Sequence, residues 1–251
     1  MLLEGKVVLV TGGGRGIGAC ISRVVAQYGA RVAINYSTSV EKSENLAAEI
    51  EKGGGHAATF RADVRNPAEV QAMVKQVTER LGRLDGVINN AIAGRQDGNL
   101  AVSSLQAYQN MFDFNCIAVL NTINAARPIM KRLGGGRIIN IVSELWNMAP
   151  AGWSPYMAGK GAMVGVSRSL AVELGPENIT VNMVAPGWMA DEKVDTSSQS
   201  SIDYGNSLPL RRHGSADEIG KACVYLLSDL ASYVTGAYIP VTGGRITQAG
   251  M

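Results

Sequence analysis

The chain has 251 residues, of which 46% are hydrophobic and 18% charged, and its net charge is +2 at pH 7. This is the composition of an ordinary globular protein, long enough for one large α/β core. No basic cluster is interleaved with aromatic residues, so nucleic-acid binding has no support. No apolar run of about 18 residues and no signal-peptide pattern occurs, so we expect a cytoplasmic protein that does not bind membranes. The three scattered cysteines predict reduced thiols and no metal site.

The first predicted elements are a strand, a glycine-rich turn and a helix. The run KVVLV at residues 6–10, apolar after Lys6, predicts a strand buried on both faces. They lead into the run TGGGRGIG at residues 11–18 and then into apolar residues at helical spacing. Glycines let the backbone approach a phosphate, and the N terminus of the helix attracts the anion. The stretch predicts a nucleotide site that includes Gly12, Arg15, Gly16, Ile17 and Gly18.

The end of the second predicted strand bears on the choice of cofactor. In NAD-binding sites of this type, a carboxylate at this place holds the ribose 2′-hydroxyl. Here the residues are Asn35, Tyr36, Ser37 and Thr38. No carboxylate at these positions would repel a 2′-phosphate. Arg15 supplies a cation, and Ser37 and Thr38 supply two hydroxyl groups. The sequence therefore favours NADP(H).

Strand three, predicted over residues 56–62, leads to Asp63 and Val64. The next helix begins with a capping box, in which Asn66 caps the helix and proline takes its first position. Because Asn66 is the cap, Asp63 remains for another role. Two roles stay open for Asp63, a hydrogen bond to an adenine amino group and a plain turn aspartate.

Strand four, predicted over residues 86–91, ends in two amides, where a parallel sheet presents its ligand crevice. A long helix is predicted over residues 104–127, with Asn115 at its middle. Asparagine is unfavourable inside a helix. Asn115 therefore either has a polar role or faces solvent.

The fifth strand, predicted over residues 136–142, runs into Ser143, and a helical pattern begins at Tyr156. Tyr156 and Lys160 are four residues apart, so their side chains project from one face of the helix. A cation beside a phenol favours the phenolate, and such a tyrosine can protonate a developing alkoxide. The alternative is a buried tyrosine beside a lysine that reaches for solvent.

The last part of the chain continues the same alternation of strands and helices. Strand six is followed by Pro186 and Gly187, and residues 188–207 are polar and irregular enough to suggest a substrate-binding lid. A final strand is predicted over residues 238–241. The pattern predicts one domain over residues 1–251, a doubly wound parallel sheet of the Rossmann type with helices on both faces.

Together, the motifs resemble the short-chain dehydrogenase/reductase family. They are TGxxxGxG at 11–18, NNA at 89–91, Asn115, Ser143 with YxxxK at 156–160, and Pro-Gly at 186–187. The resemblance covers the whole chain, and the motifs fall in the family's order and spacing. The sequences of strands two and six look most like those of the 3-oxoacyl-acyl-carrier-protein reductase group.

The resemblance implies a catalytic set and a reaction. Tyr156 would be the acid/base, and Lys160 would make it more acidic while holding the nicotinamide ribose. Ser143 would hydrogen-bond the substrate carbonyl, and Asn115 would kink its helix and hold a water that links Lys160 to solvent. A hydride would pass from NADPH to a carbonyl and give a secondary alcohol.

The resemblance also implies the cofactor contacts. Asp63 and Val64 would contact adenine, and Asn89 would support the cofactor side of the cleft. Two places depart from the family: Ile92 replaces a glycine, and no threonine follows the Pro-Gly pair where one often contacts the nicotinamide amide. The full set of expected contacts is Gly12, Arg15, Gly16, Ile17, Gly18, Asn35, Tyr36, Ser37, Asp63, Val64, Asn89, Ala91, Tyr156, Lys160, Pro186 and Gly187.

The substrate is indicated only by class. All three tryptophans, Trp146, Trp153 and Trp188, lie with Met189 in the loops that bracket the catalytic residues in sequence. Core packing is the usual fate of tryptophan. Their clustering nevertheless predicts a bulky apolar pocket and a hydrophobic ketone or 3-oxoacyl substrate.

The resemblance also implies partners. The substrate would be free or carried on acyl-carrier protein or coenzyme A. Acidic carrier protein needs cations near the cleft, and Lys131 and Arg132 are candidates. However, Val172 stands where the group commonly has an arginine. Members are commonly homodimers or homotetramers.

Two functions remain as alternatives to an NADPH-dependent reductase. They are an NAD-dependent alcohol dehydrogenase and a nucleotide-binding sensor or scaffold without turnover.

Overall fold

Apolar, largely β-branched runs form the strands in the computed structural model, which describes residues 1–92 and 104–245. Seven of the strands make one parallel sheet in the order β3-β2-β1-β4-β5-β6-β9, and β7 and β8 form a separate short pair. The strands are β1 (Val7–Val10), β2 (Arg31–Tyr36), β3 (His56–Arg61), β4 (Gly86–Asn89), β5 (Gly136–Ile141), β6 (Ile179–Pro186), β7 (Met189–Ala190), β8 (Gly214–Ser215) and β9 (Tyr238–Val241).

Helices cover both faces of this sheet. Helices α3, α5 and α7 pack on one face, and α1, α2 and α9 pack on the other, each face with its own apolar core. The helices are α1 (Gly16–Gln27), α2 (Val40–Lys52), α3 (Pro67–Leu81), α4 (Leu105–Phe112), α5 (Ala118–Arg132), α6 (Leu145–Met148), α7 (Ser154–Leu174), α8 (Gln199–Ser207) and α9 (Asp217–Leu227). The predicted doubly wound α/β class is confirmed.

The strand order reverses between β1 and β4. Val10 pairs with Ile34 of β2 on one side and with Ile88 of β4 on the other. In open parallel sheets, the ligand crevice lies at the carboxyl ends of the strands where the order reverses. The glycine-rich turn after β1 and the amides after β4 therefore lie at one crevice.

The region predicted as an irregular lid contains regular structure, which corrects that part of the prediction. Met189–Ala190 forms β7, and Gln199–Ser207 forms α8. The Ser198 hydroxyl caps α8 by accepting a hydrogen bond from the N–H of Ser201. Most residues of α8 are polar, so the helix leaves little apolar periodicity in the sequence.

The long helix predicted over residues 104–127 extends further and is not uniform. It consists of α4, a π-helical turn at Asp113–Ile117, and α5. No helix in the described part of the chain combines the length and apolar character needed to cross a bilayer.

Candidate active site

The glycine-rich turn is held against the sheet by side chains from β2 and from the end of β4. The Gly12 N–H donates to Asn35 Oδ1 at 3.2 Å, and Asn90 Nδ2 donates to the carbonyl of Thr11 at 3.0 Å. A Cβ at Gly18 would lie 2.2 Å from the Gly12 carbonyl oxygen. Only glycine permits this close approach of helix to turn.

A cavity of about 630 Å³ opens beside this turn. The residues predicted to hold the 2′-phosphate are Arg15, Ser37 and Thr38, and they line this cavity together with the glycine turn. No carboxylate stands at positions 35–38. The other predicted cofactor residues that line the cavity are Gly12, Gly16, Ile17, Gly18, Asn35, Tyr36, Asp63, Val64 and Ala91.

The cavity fits a dinucleotide. It has the volume of a small-molecule site, and the N terminus of the 12-residue helix α1 opens into it. Gly12 and Gly16 have φ of +59° and +55°, a left-handed backbone that directs the turn around the helix N terminus. These residues would hold the phosphates of a nicotinamide dinucleotide.

Sequence reasoning missed several residues of this cavity. They are Gly14, Ser39, Ser43, Ala62, Arg65, Asn90, Phe114, Asp191 and Lys193, together with Ile92, which was noted only as a departure from the family. Asn90 belongs to the NNA motif, and that motif was the signal that could have identified it. Phe114, Asp191 and Lys193 arrive from distant parts of the chain, and no local pattern pointed to them.

The structure gives Asp63 a strong partner. Its carboxylate receives hydrogen bonds from the guanidinium of Arg65, the shortest at 2.6 Å, and this ion pair lowers the pKa of Asp63. Asp63, which the Asn66 cap leaves for another role, is therefore engaged by Arg65. An adenine contact would have to share a carboxylate that Arg65 already engages.

Asn89 lies inside the protein and does not line the cavity. Its Nδ2 donates to Asn140 Oδ1 at 2.8 Å, and its Oδ1 accepts from the Thr122 hydroxyl at 2.6 Å. Asn140 in turn donates to the Ser167 hydroxyl at 2.7 Å. This buried chain joins α5, β4, β5 and α7, so the Asn89 side chain braces the sheet rather than reaching a ligand.

Lys160 connects α7 to the end of β5. Its Nζ is buried and donates to the carbonyl oxygen of Ile141 at 2.8 Å, two residues before Ser143. The same ammonium lies 5.8 Å from the centre of the Tyr156 ring. Ser143, Tyr156 and Lys160, which the sequence separates, are thus gathered at the carboxyl end of β5.

The electrostatics of Lys160 follow from its burial. Removal from water lowers the pKa of Lys160 from its ordinary value of 10.5 to about 7. Tyr238 lies nearby and donates its hydroxyl to the Ser143 carbonyl oxygen at 2.9 Å. Burial first, and then the nearby Glu144 carboxylate, raise the pKa of Tyr238 to about 12, so this second tyrosine stays protonated.

Asn115 is fully buried in the π-helical turn, so the solvent-facing alternative is wrong. Its Nδ2 donates to the carbonyl of Met111 at 2.8 Å. Its Oδ1 is buried and has no hydrogen-bond partner among the described residues. Gly159, beside Lys160, packs against this turn, and a Cβ there would lie 2.9 Å from Asn115 Nδ2.

The aromatic residues predicted for a substrate pocket separate into two groups. Trp153 contacts Tyr156 edge to face, with ring centres 5.7 Å apart, and Trp146 packs on α7 at Gly161. Trp188 instead packs against Tyr204 and His213. Met189 is buried in the core on the α1 face and lines a second cavity of about 290 Å³ with Trp188.

A buried carboxylate beside Ser143 was not anticipated. Glu144 is 4% exposed and pairs with Arg245 at 3.3 Å. Burial raises the pKa of Glu144, and Arg245 opposes this effect. The Tyr204 hydroxyl lies 3.5 Å from Glu144 and accepts the N–H of Trp188 at 3.0 Å. Glu144 therefore links the catalytic region to the segment over residues 188–207.

Comparison with known proteins agrees with this geometry. A family model described as Enoyl-(Acyl carrier protein) reductase matches residues 12–245. The 3-oxoacyl-acyl-carrier-protein reductase FabG of Staphylococcus aureus is 38% identical over 240 residues, which cover 95% of this chain and 97% of that protein.

Solved structures give the same result. A short-chain dehydrogenase of Burkholderia cenocepacia in complex with NADP has a TM-score of 0.88 and 34% identity. A blue fluorescent protein from a metagenomic library in complex with NADPH has a TM-score of 0.88 and 36% identity. Each match covers 97% of this chain and 99% of the other. The chain belongs to the short-chain dehydrogenase/reductase family, as its motifs predicted.

Proposed function

We propose that this protein is an NADPH-dependent reductase that transfers a hydride to the carbonyl of a 3-oxoacyl compound or a hydrophobic ketone and forms a secondary alcohol. The observation that carries the proposal is the hydrogen bond from Lys160 to Ile141, which holds Tyr156 and Ser143 at one strand end. The FabG relative is named for 3-oxoacyl reduction, and two structural relatives are complexes with NADP and NADPH.

The cofactor assignment is supported by one cation and two hydroxyl groups that line the cavity. Arg15, Ser37 and Thr38 line it and would hold the 2′-phosphate that distinguishes NADP(H) from NAD(H). Val64 would contact the adenine, and Pro186 and Gly187 would lie near the nicotinamide. When bound, the cofactor supplies the hydride.

The side chains of this protein would supply the remaining chemistry. The Ser143 hydroxyl would donate a hydrogen bond to the substrate carbonyl oxygen, and the Tyr156 hydroxyl would give that oxygen its proton. The Lys160 ammonium would stabilise the phenolate left behind. A water molecule that donates a hydrogen bond to Asn115 Oδ1 would return the proton from solvent, since this buried oxygen has no partner among the described residues.

The substrate pocket would be formed by the apolar side chains around Tyr156. Trp153 and Trp146 lie on this side, and Trp188 would close it from the segment over residues 188–207, which we propose acts as a lid. Ile92 lines the nucleotide cavity where the family has a glycine, and its side chain would narrow the passage to the pocket.

The two predicted docking cations for an acidic carrier protein differ in environment. Lys131 is paired with Glu177 at 2.9 Å, Arg132 is exposed, and Val172 is 80% exposed in place of an arginine. The pairing of Lys131 and the valine at position 172 favour substrates that are free or linked to coenzyme A. Val172 of α7 and Leu105 of α4 are large exposed apolar residues, as expected of a homodimer or homotetramer packed through these helices.

The test is NADPH consumption with four substrates: acetoacetyl-coenzyme A, acetoacetyl-acyl-carrier protein, a cyclic ketone and an aryl ketone. We expect turnover of the coenzyme A thioester or the ketones, and a much lower rate in Tyr156→Phe. Binding of NADPH without consumption on any substrate would indicate a sensor or scaffold. Preference for NADH together with oxidation of secondary alcohols would indicate a dehydrogenase.

A further inference from the structure

A carboxylate from the lid binds the N terminus of helix α1. The N–H of Gly16 donates to Glu192 Oε1 at 2.8 Å. Gly16 is the first residue of α1, where the unpaired N–H groups and the helix dipole favour an anion. Glu192 is therefore bound as a phosphate would be bound at this helix end.

The neighbours of Glu192 approach the same place. Asp191 Oδ2 lies 3.2 Å from the position that a Cβ on Gly16 would occupy, and Asp191 and Lys193 both line the nucleotide cavity. The segment is fixed on one side, because Ala190 pairs with Ser215 and accepts the N–H of Ala216 at 3.0 Å. The stretch over residues 191–193 thus spans from an anchored strand to the glycine turn.

We propose that Glu192 is an internal competitor of the cofactor, whose carboxylate must leave Gly16 before the dinucleotide phosphates bind there. Two anions do not share one N–H donor, and Asp191 adds like charge at close range. Because Glu192 lies in the lid, its release couples cofactor binding to a rearrangement of residues 191–193. The inference rests on the proposed function, since it requires a nucleotide at the glycine turn.

The protonation of Glu192 agrees with this contact. Partial burial acts to raise the pKa of Glu192, but the hydrogen bond from the Gly16 N–H and the nearby lysines, Lys193 and Lys42, outweigh it and lower the pKa. The carboxylate is ionised at neutral pH, which is the state that competes with phosphate. The competition therefore operates under ordinary assay conditions.

The test is the dissociation constant of the cofactor, measured by titrating wild type, Glu192→Ala and Glu192→Gln with NADPH and with NADH and following nicotinamide fluorescence. We expect Glu192→Ala to bind both cofactors about tenfold to a hundredfold more tightly, the range for removal of one competing charged hydrogen bond. The gain should be equal for the two cofactors, because the phosphates common to both compete with Glu192. The control is Glu79→Ala, which removes an exposed carboxylate on α3 where Lys75 is the partner, and it should leave both constants unchanged.

The outcomes separate this inference from the proposed function. Unchanged or weaker binding by Glu192→Ala, with wild type still binding NADPH, overturns the inference alone. A gain confined to NADPH overturns it as well, because it would place Glu192 at the 2′-phosphate. If neither wild type nor Glu192→Ala binds either cofactor, both the inference and the proposed function fail.

Discussion

Lys160 Nζ donates to the carbonyl oxygen of Ile141 at 2.8 Å and is 3% exposed. This contact ties the helix that carries Tyr156 to the strand that delivers Ser143. It is also an unusual environment for an ammonium, because the group is removed from water. The position of the proposed catalytic residues and the acidity of Lys160 therefore have the same cause.

A dependence of stability on pH follows from this burial. The pKa of Lys160 is about 7 in the folded protein and 10.5 ordinarily, so between these values the unfolded chain binds the extra proton. The free energy of unfolding of wild type relative to Lys160→Met should therefore rise with pH from about 7 to 10.5, by up to roughly 1.4 kcal/mol per pH unit. Urea unfolding across this range measures it. Lys75→Met, the same change on the exposed face of α3, should show no such slope.

Tyr156→Phe removes the proposed proton donor without changing the shape of the ring. We expect kcat to fall by about 10² to 10⁴ while the dissociation constant of NADPH changes less than the rate, because the lost step is proton transfer. Steady-state kinetics and nicotinamide fluorescence measure the two quantities. Tyr225→Phe on α9, where the tyrosine is 40% exposed, is the matched control. Retained turnover in Tyr156→Phe would remove this tyrosine from the mechanism.

Arg15 should set the preference between the two cofactors. Arg15→Ala removes a charged donor to the 2′-phosphate, so we expect NADPH to bind about ten to a hundred times more weakly, with NADH nearly unchanged. Ser37→Asp adds the carboxylate that NAD-binding sites carry at this strand end and should move the preference further toward NADH. Arg132→Ala, which does not line the cavity, controls for the loss of charge. Equal weakening for both cofactors would place Arg15 elsewhere.

The buried chain through Asn89 should matter for stability. Thr122→Val keeps the shape of the side chain but leaves Asn89 Oδ1 without its 2.6 Å donor in the core. We expect the free energy of unfolding to fall by about 1 to 3 kcal/mol. Thr78→Val removes a half-buried hydroxyl that bonds only to carbonyls of its own helix, so it should cost less. Urea unfolding of both variants measures the two losses in the free energy of unfolding.

Much of the fold and part of the site were readable from local patterns. The strands at residues 136–142 and 238–241 and the cap at Asn66 were predicted where they occur, to within one residue. Apolar runs, glycine turns and caps act over a few residues, so one stretch of sequence contains the information. The helix α8 was missed because most of its residues are polar, so it leaves no apolar period in the sequence.

The sequence by itself determined the parallel α/β class, the glycine turn and the identity of the residues proposed to catalyse, because each depends on residue type and short spacing. Only the tertiary structure decided their partners. Asn89 and Asn140 are 51 residues apart in the chain, and Gly16 and Glu192 are 176 apart. Hydrogen bonds of this kind form when the sheet brings separate strand ends together, and burial then sets the acidity of Lys160. The spacing of residues along the chain predicts neither these hydrogen-bond partners nor the acidity of Lys160. Water is excluded and donors are shared only after the elements have packed.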